Sequence, residues 1–326
     1  MKRHLPTLGL VLSATLVACA SDGATAPGTA AYNGALPAVR RVVVISIDGL
    51  RGDAVQDMPN LVALRARGAW TDSMQTVVPS LTVPGHLAMF TGRDVTAFGV
   101  TSNTLDQQAG TALSMNGAST MFQWVKGAGG TSAALVASSL VPASQLEEAR
   151  SYFGLDAVTA VDGNLDDLRT RAVASATSAY AATLLFVHIP TVDWAGHDYG
   201  WIRTDVGGVG GSDVLGDRYI AAARAADDVV GAVWRALQPA IESGEVALLV
   251  TADHGGGHGA GCKTGVPAAR EHCTSDPADR TIPFLLLSRG AAIGRLAGRP
   301  TNTQVAPTVG RQLRVAVPSR AAAALR

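Results

Sequence analysis

Three aspartates stand at or just beyond the ends of apolar runs, and two of them have histidine close by. Asp48 follows RVVVISI (41–47), and Asp253-His254 follows EVALLVTA (245–252). Asp193-Trp194-Ala195-Gly196-His197 comes shortly after TLLFVHI (183–189). Carboxylates gathered without counter-charge repel one another and raise each other's pKa. Metal cations are the simplest remedy, and Asp with His is a donor set suited to zinc. The remaining histidines point to the same segments. His86, His197, His254, His258 and His272 all lie in or beside them, whereas His4 is near the start and His188 is inside an apolar run.

For these residues to meet, the apolar runs must be neighbouring strands. Each is continuously apolar, as expected of a strand buried on both faces, and TIPFLLLS (281–288) is a fourth. Residues 58–68, 165–182 and 217–240 read as amphipathic or Ala-rich helices. Strands alternating with helices predict an α/β fold around a mainly parallel sheet. In such sheets ligands bind outside the carboxyl ends of the strands, where all three aspartates would fall. No repeat or Pro/Ser-rich break follows residue 40, so residues 41–326 are expected to form a single domain. Phe122 and Trp124 are expected in its core. Residues 207–211 read as a loop bordering the site or simply on the surface.

The 26 basic and 26 acidic residues cancel, which leaves no footprint for sequence-specific nucleic-acid binding. A hydrophobic fraction of 47% excludes a mostly disordered chain. Residues 1–18 carry Lys2 and Arg3 ahead of an apolar stretch too short to span a bilayer, the plan of a secretory signal. Leu16-Val17-Ala18-Cys19 resembles the lipobox of bacterial lipoproteins, which implies cleavage before Cys19, a lipid anchor there and residence at the cell envelope. An ordinary signal peptide that contains a cysteine is the alternative. Residues 19–40 read as a flexible tether. Export places the other two cysteines in an oxidising compartment, which favours a Cys262–Cys273 disulfide. A metal pair is the competing reading, but the separation matches no Cys-x-x-Cys clip. The oligomeric state is not legible.

The segments VVVISIDGLR (42–51), PSLTVPGHLAMFTGR (79–93), FGVTSN (98–103), VDWAGHDYG (192–200), TADHGG (251–256) and HCTSDPADRTIPFLLL (272–287) occur in one order with characteristic spacings. In these the chain resembles the alkaline phosphatase superfamily, within it the type I phosphodiesterase/nucleotide pyrophosphatase branch. The resemblance implies a three-layer α/β sandwich and two divalent metal ions, zinc by preference. One ion would take Asp48, Asp253 and His254, with Thr82 bound to it. The other would take Asp193, His197 and a late histidine, His272 by its spacing, with His258 as the alternative.

Thr82 is the implied nucleophile, passing through a phospho-threonine, with Ser80 as the alternative. A threonine hydroxyl is a poor nucleophile until a metal lowers its pKa. Asn103 matches an asparagine that hydrogen-bonds a phosphoryl oxygen, and a backbone N–H near Val83 is expected to complete that cradle. His86 is expected to be a buried hydrogen-bonder behind the ligands. Trp194 and Asp198 read as pocket wall or packing. Thr82-Val83-Pro84-Gly85-His86 lacks the Cys or Ser and the Arg of a sulfatase. Where the family usually has an aromatic residue and a base-stacking tyrosine, this chain has Val83 and His188, so the identity of the phosphate-ester substrate stays open. A phosphomonoesterase is the runner-up, and a non-catalytic binding lipoprotein is a further alternative.

Overall fold

The computed structural model describes residues 38–103, 117–206 and 213–325. The lipobox with Cys19, the tether up to residue 37 and the loop 207–211 lie outside them. The described strands are β1 (Arg41–Ile47), β2 (Ala69–Gln75), β3 (Ser132–Ala137), β4 (Ala157–Val161), β5 (Leu184–Ile189), β6 (Val246–Thr251), β7 (Thr281–Leu287) and β8 (Gly294–Arg295). They form one sheet in the order β4-β3-β5-β1-β6-β7-β2-β8. Among these strands β7 alone runs opposite to the rest, antiparallel to both β6 and β2.

Between the strands come α1 (Pro59–Leu64), α2 (Thr82–Thr91), α3 (Met121–Gly127), α4 (Leu146–Phe153), α5 (Leu165–Thr177), α6 (Thr191–Tyr199), α7 (Asp217–Ser243) and α8 (Pro277–Arg280), and α9 (Val305–Leu313) follows the last strand. α1, α5 and α6 pack on α7, while α2, α3 and α9 pack on one another. With these helices flanking the sheet, the architecture is the expected three-layer α/β fold. This is why β5 and β6 are buried at every position and β1 at all but its first residue. Unbroken apolar runs are what that burial demands.

Helix limits differ from the sequence expectation at three places. The 58–68 segment is α1 followed by a short 3-10 turn, Arg65–Arg67. The 165–182 segment stops at Thr177, and the 217–240 segment continues through Pro239 to Ser243, where Gly244 turns left-handed. Phe122 and Trp124 are core residues on α3, as expected. Among the described residues no helix is long and apolar enough to cross a membrane.

The register sets up the site. Ile47 of β1 lies opposite Ile189 of β5, and Ser46 lies opposite Thr251 of β6. The three central strands therefore end nearly level, and the chain leaves each at the same edge. Gly49, directly after Asp48, has φ +71°, and a Cβ there would stand 2.8 Å from the Asp193 Cα. Glycine permits both the left-handed turn and the close approach of α6. Gly49→Ala should therefore destabilise the fold by about 1–3 kcal/mol, read as a lower urea midpoint.

Candidate metal centre

Asp48 leaves the end of β1, Asp253 and His254 follow β6, and Asp193 and His197 share one face of α6, four residues apart. His272 comes from the segment before α8, and Thr82 is the first residue of α2. All are buried except His197, which is partly exposed. Three of the histidines are fixed in the same way. The Nδ1–H of His254 donates to Gly255 O at 2.7 Å, that of His272 to Ser80 O at 2.7 Å and that of His197 to Arg270 O at 2.8 Å. Because a carbonyl only accepts, Nδ1 carries a proton in each ring and Nε2 is the nitrogen that faces the centre. This arrangement is the one that a carbonyl behind a metal-ligating histidine selects.

Those Nε2 atoms converge on carboxylate oxygens. His254 Nε2 lies 3.2 Å from Asp48 Oδ1, 3.3 Å from Asp253 Oδ2 and 3.9 Å from Asp193 Oδ1. His272 and His197 Nε2 lie 3.5 and 3.6 Å from Asp193 Oδ1, and 3.2 Å from each other. These same three oxygens are buried and, among the described residues, have no hydrogen-bond partner. Asp48, Asp253 and His254 form one group with donor atoms within 4.8 Å of one another, and Asp193, His254 and His272 form a second. Ring nitrogens and partnerless carboxylate oxygens facing one another fit a cation. Thr82 Oγ1 stands 3.2 Å from His254 Nε2, beside the first group.

The protein's own charges are strained in this arrangement. Burial, together with the charge of Asp48, pushes Asp193 and Asp253 well above the usual carboxylate range. Burial works the same way on Asp48, but the hydrogen bond from His188 and the neighbouring His254 outweigh it and hold Asp48 well below that range. Burial would lower His254; the surrounding Asp253, Asp48 and Asp193 instead raise it to about 10. His272 is driven well below its ordinary value by burial and by His254. A proton on His254 thus does part of the work of a cation.

The sequence expectations sort clearly against this geometry. His258 is not at the centre: its Nε2 lies 3.0 Å from Asp213, within a separate cluster with Arg51 and Asp276. The Ser80 hydroxyl donates to Thr274 O at 2.9 Å, so Thr82 is the hydroxyl beside the ligands. The Val83 N–H does not stand free for a phosphoryl oxygen as expected. It donates to Asn103 Oδ1 at 3.0 Å, which holds Asn103 and presents its amide nitrogen as the donor. His86 is a buried support, with Nδ1–H donating to Thr82 O at 2.8 Å and Nε2 accepting from Ser46 Oγ at 3.0 Å. Burial lowers its pKa to about 3, so it stays neutral. Trp194 packs over Gly163, and Asp198 is exposed.

Sequence reasoning missed other supports. His188 turns inward onto Asp48 rather than toward a substrate. Trp201 Nε1 and the Tyr219 hydroxyl both donate to Gly49 O, pinning the turn after Asp48. Arg270 donates from its guanidinium to the carbonyls of His197 and Asp198 while its own carbonyl holds the His197 ring. None of these has a motif, since each acts through a backbone atom or a fold-specific neighbour. Cys262 and Cys273 are joined with a Cα–Cα distance of 5.9 Å, and this bridge closes the loop that leads into His272.

The model of a family described as type I phosphodiesterase/nucleotide pyrophosphatase matches residues 42–304. No curated protein matches the sequence. Among solved structures, the chain is similar to an inactive form of murine ectonucleotide pyrophosphatase/phosphodiesterase 5 in complex with AMP. That match has a TM-score of 0.63 at 14% identity and covers 86% of this chain and 96% of that one. A lipoteichoic acid synthase from Listeria monocytogenes matches with a TM-score of 0.61 at 14% identity, over 85% and 72% of the two chains. A 2-O GAG sulfatase matches with a TM-score of 0.63 at 16% identity, over 87% and 73%. At these identities the likeness establishes a shared fold.

Two measurements test the centre. Metal analysis of variants should find one ion lost from His272→Ala and none from His258→Ala; the reverse pattern would refute the assignment. Because His254 holds a proton at neutral pH, metal uptake must release it. The calorimetric heat of zinc binding should therefore change with the ionisation enthalpy of the buffer, and affinity should weaken as pH falls.

Proposed function

The chain belongs to the type I phosphodiesterase/nucleotide pyrophosphatase family, and from that premise we propose a hydrolase of phosphoric diesters or phosphoanhydrides working through a phospho-threonine on Thr82. One observation carries the reading. Three histidines whose Nδ1–H groups are fixed by backbone carbonyls aim their Nε2 atoms at partnerless carboxylate oxygens, beside a threonine hydroxyl.

Asp48, Asp253 and His254 would hold one divalent ion and Asp193, His197 and His272 a second, zinc being the ion that suits the donor set. When bound, such ions lower the pKa of a coordinated hydroxyl and neutralise charge on phosphoryl oxygens. Thr82 Oγ gives up its proton to solvent and forms a bond to phosphorus as the bond to the leaving oxygen breaks, and that oxygen takes a proton from solvent. Water then bonds to phosphorus as the Thr82 Oγ–P bond breaks, and a proton of that water passes to Oγ through solvent, which restores the hydroxyl. Asn103, fixed by Val83 N–H, donates its amide to a phosphoryl oxygen. The position of Thr82 at the head of α2 adds the favourable end of the helix dipole.

The organic part of the substrate follows from what the site lacks. Val83 and His188 are both buried, and neither offers a ring on which a nucleobase can stack. This favours a phosphate ester recognised through its phosphoryl group rather than through a base. The lipobox-like Leu16-Val17-Ala18-Cys19 supports a chain tethered by lipid to the cell envelope, and the disulfide fits an oxidising compartment.

Turnover of bis-p-nitrophenyl phosphate against p-nitrophenyl phosphate decides the reading. The diester should be the better substrate, chelator should abolish turnover and zinc should restore it. Thr82→Ala should lose about three orders of magnitude or more. Bound zinc with no turnover of either ester would overturn the enzyme, and a faster monoester would make it a phosphomonoesterase.

A further inference from the structure

We propose that His188 is a positioning residue for the first metal site, an imidazole locked as the Nε2–H tautomer that occupies Asp48 Oδ2 and leaves Oδ1 to face the ion. The inference rests on the two-metal reading above and extends it to a residue behind the ligands.

His188 lies within β5 and is fully buried. The backbone N–H of Ala137, the last residue of the adjacent β3, donates to its Nδ1 at 3.2 Å. A ring nitrogen that accepts a hydrogen bond has no proton, so the ring proton sits on Nε2. That N–H points at Asp48 Oδ2, 2.9 Å away. The Ser139 hydroxyl approaches the same oxygen at 3.4 Å. Asp48 Oδ1 accepts no hydrogen bond from the described residues and faces His254 Nε2 at 3.2 Å.

A buried carboxylate held only by its backbone can rotate and offer either oxygen, or both. With a donor fixed on Oδ2, rotation would break a buried, charge-assisted hydrogen bond, which costs more than losing a neutral one. The carboxylate plane is therefore set, and Asp48 binds through one oxygen. The direction of the donor is dictated from outside the site, by the amide of a strand residue that is held in register with Val161 of β4. His86 shows that the arrangement is specific. Its ring meets that of His188 edge-to-face at 5.2 Å, yet it carries its proton on Nδ1, toward Thr82 O. Two touching histidines thus hold opposite tautomers, one serving the nucleophile's backbone and one a ligand's carboxylate.

The experiment uses the mature protein and two substitutions. His188→Leu removes the donor, and His188→Gln places an amide N–H close to the position of Nε2. Zinc affinity and stoichiometry are read by competition with a chromogenic chelator, with thermal melts as the check on folding. Outer hydrogen-bond partners of ligands are typically worth about 10–100-fold in metal affinity. His188→Leu should weaken one of the two zinc ions by that factor and leave the other unchanged, and His188→Gln should recover most of the loss. Long-range ¹H–¹⁵N spectra of the wild type should show His188 with a bare Nδ1 and a protonated Nε2.

Unchanged zinc affinity in folded His188→Leu, or an Nδ1–H tautomer in the wild type, would overturn the assignment. So would equal weakening of both ions, which is the mark of a general structural role. If the leucine variant does not fold, the glutamine variant and the spectrum decide the matter. A wild type that binds no zinc would instead refute the two-metal reading, while the spectrum would still decide whether His188 holds Asp48.

Discussion

Mutual repulsion among three buried carboxylates is the constraint that organises this protein. Asp48 and Asp253 offer oxygens within 4.8 Å of each other, and Asp193 approaches the same histidine that both of them face. At that separation two like charges cost about 3–4 kcal/mol at an effective dielectric constant of 20. A hydrogen bond to a charged group returns about 1.5–3 kcal/mol. No plausible set of hydrogen bonds offsets three such charges and their burial, so the pocket must hold protons or a cation. The raised values of Asp193, Asp253 and His254 record the first solution. The Nε2 atoms that converge on the aspartates are arranged for the second.

Much of the fold can be understood as holding that unfavourable cluster together. Register between β1 and its two parallel neighbours delivers the aspartates to one edge of the sheet. Gly49 lets α6 come within contact of the β1 turn, and Gly85 lets α2 sit against the backbone of Asp253, where a Cβ would lie 2.6 Å from its carbonyl oxygen. Trp201 and Tyr219, both fully buried, hold the Gly49 carbonyl so that the turn cannot relax away from the repulsion.

Legibility in the sequence followed the physics of burial. β1, β5, β6 and β7 were readable because strands covered on both faces are continuously apolar, and they carry or flank most of the ligands. β2, AWTDSMQ, was not, because it has partly buried polar positions, and neither was β4, whose residues are mostly exposed or half-buried. α2 is buried at all ten positions, so it has no polar stripe for a helical period to reveal, although it begins with Thr82. At the site, residues that act through their own side-chain type were legible: Asp48, Thr82, His197 and His272 all reach the centre. His188 was not, because its role depends on a backbone amide 51 residues away. The use of the Val83 N–H was hidden for the same reason.

The clasp around Arg270 gives the two halves of the centre different mechanical character. Asp48 and Asp253 issue from paired strands deep in the sheet, whereas His197 and His272 sit on a helix end and a stapled loop. Arg270 ties that helix end to that loop in both directions, through its guanidinium and through its carbonyl. Local opening there would remove both histidines together, so the half-site behaves as one cooperative unit rather than as separable ligands. In chelation terms, at the proposed second metal site the two histidines would act as one bidentate arm, with the entropy of bringing them together spent during folding instead of at the moment of binding.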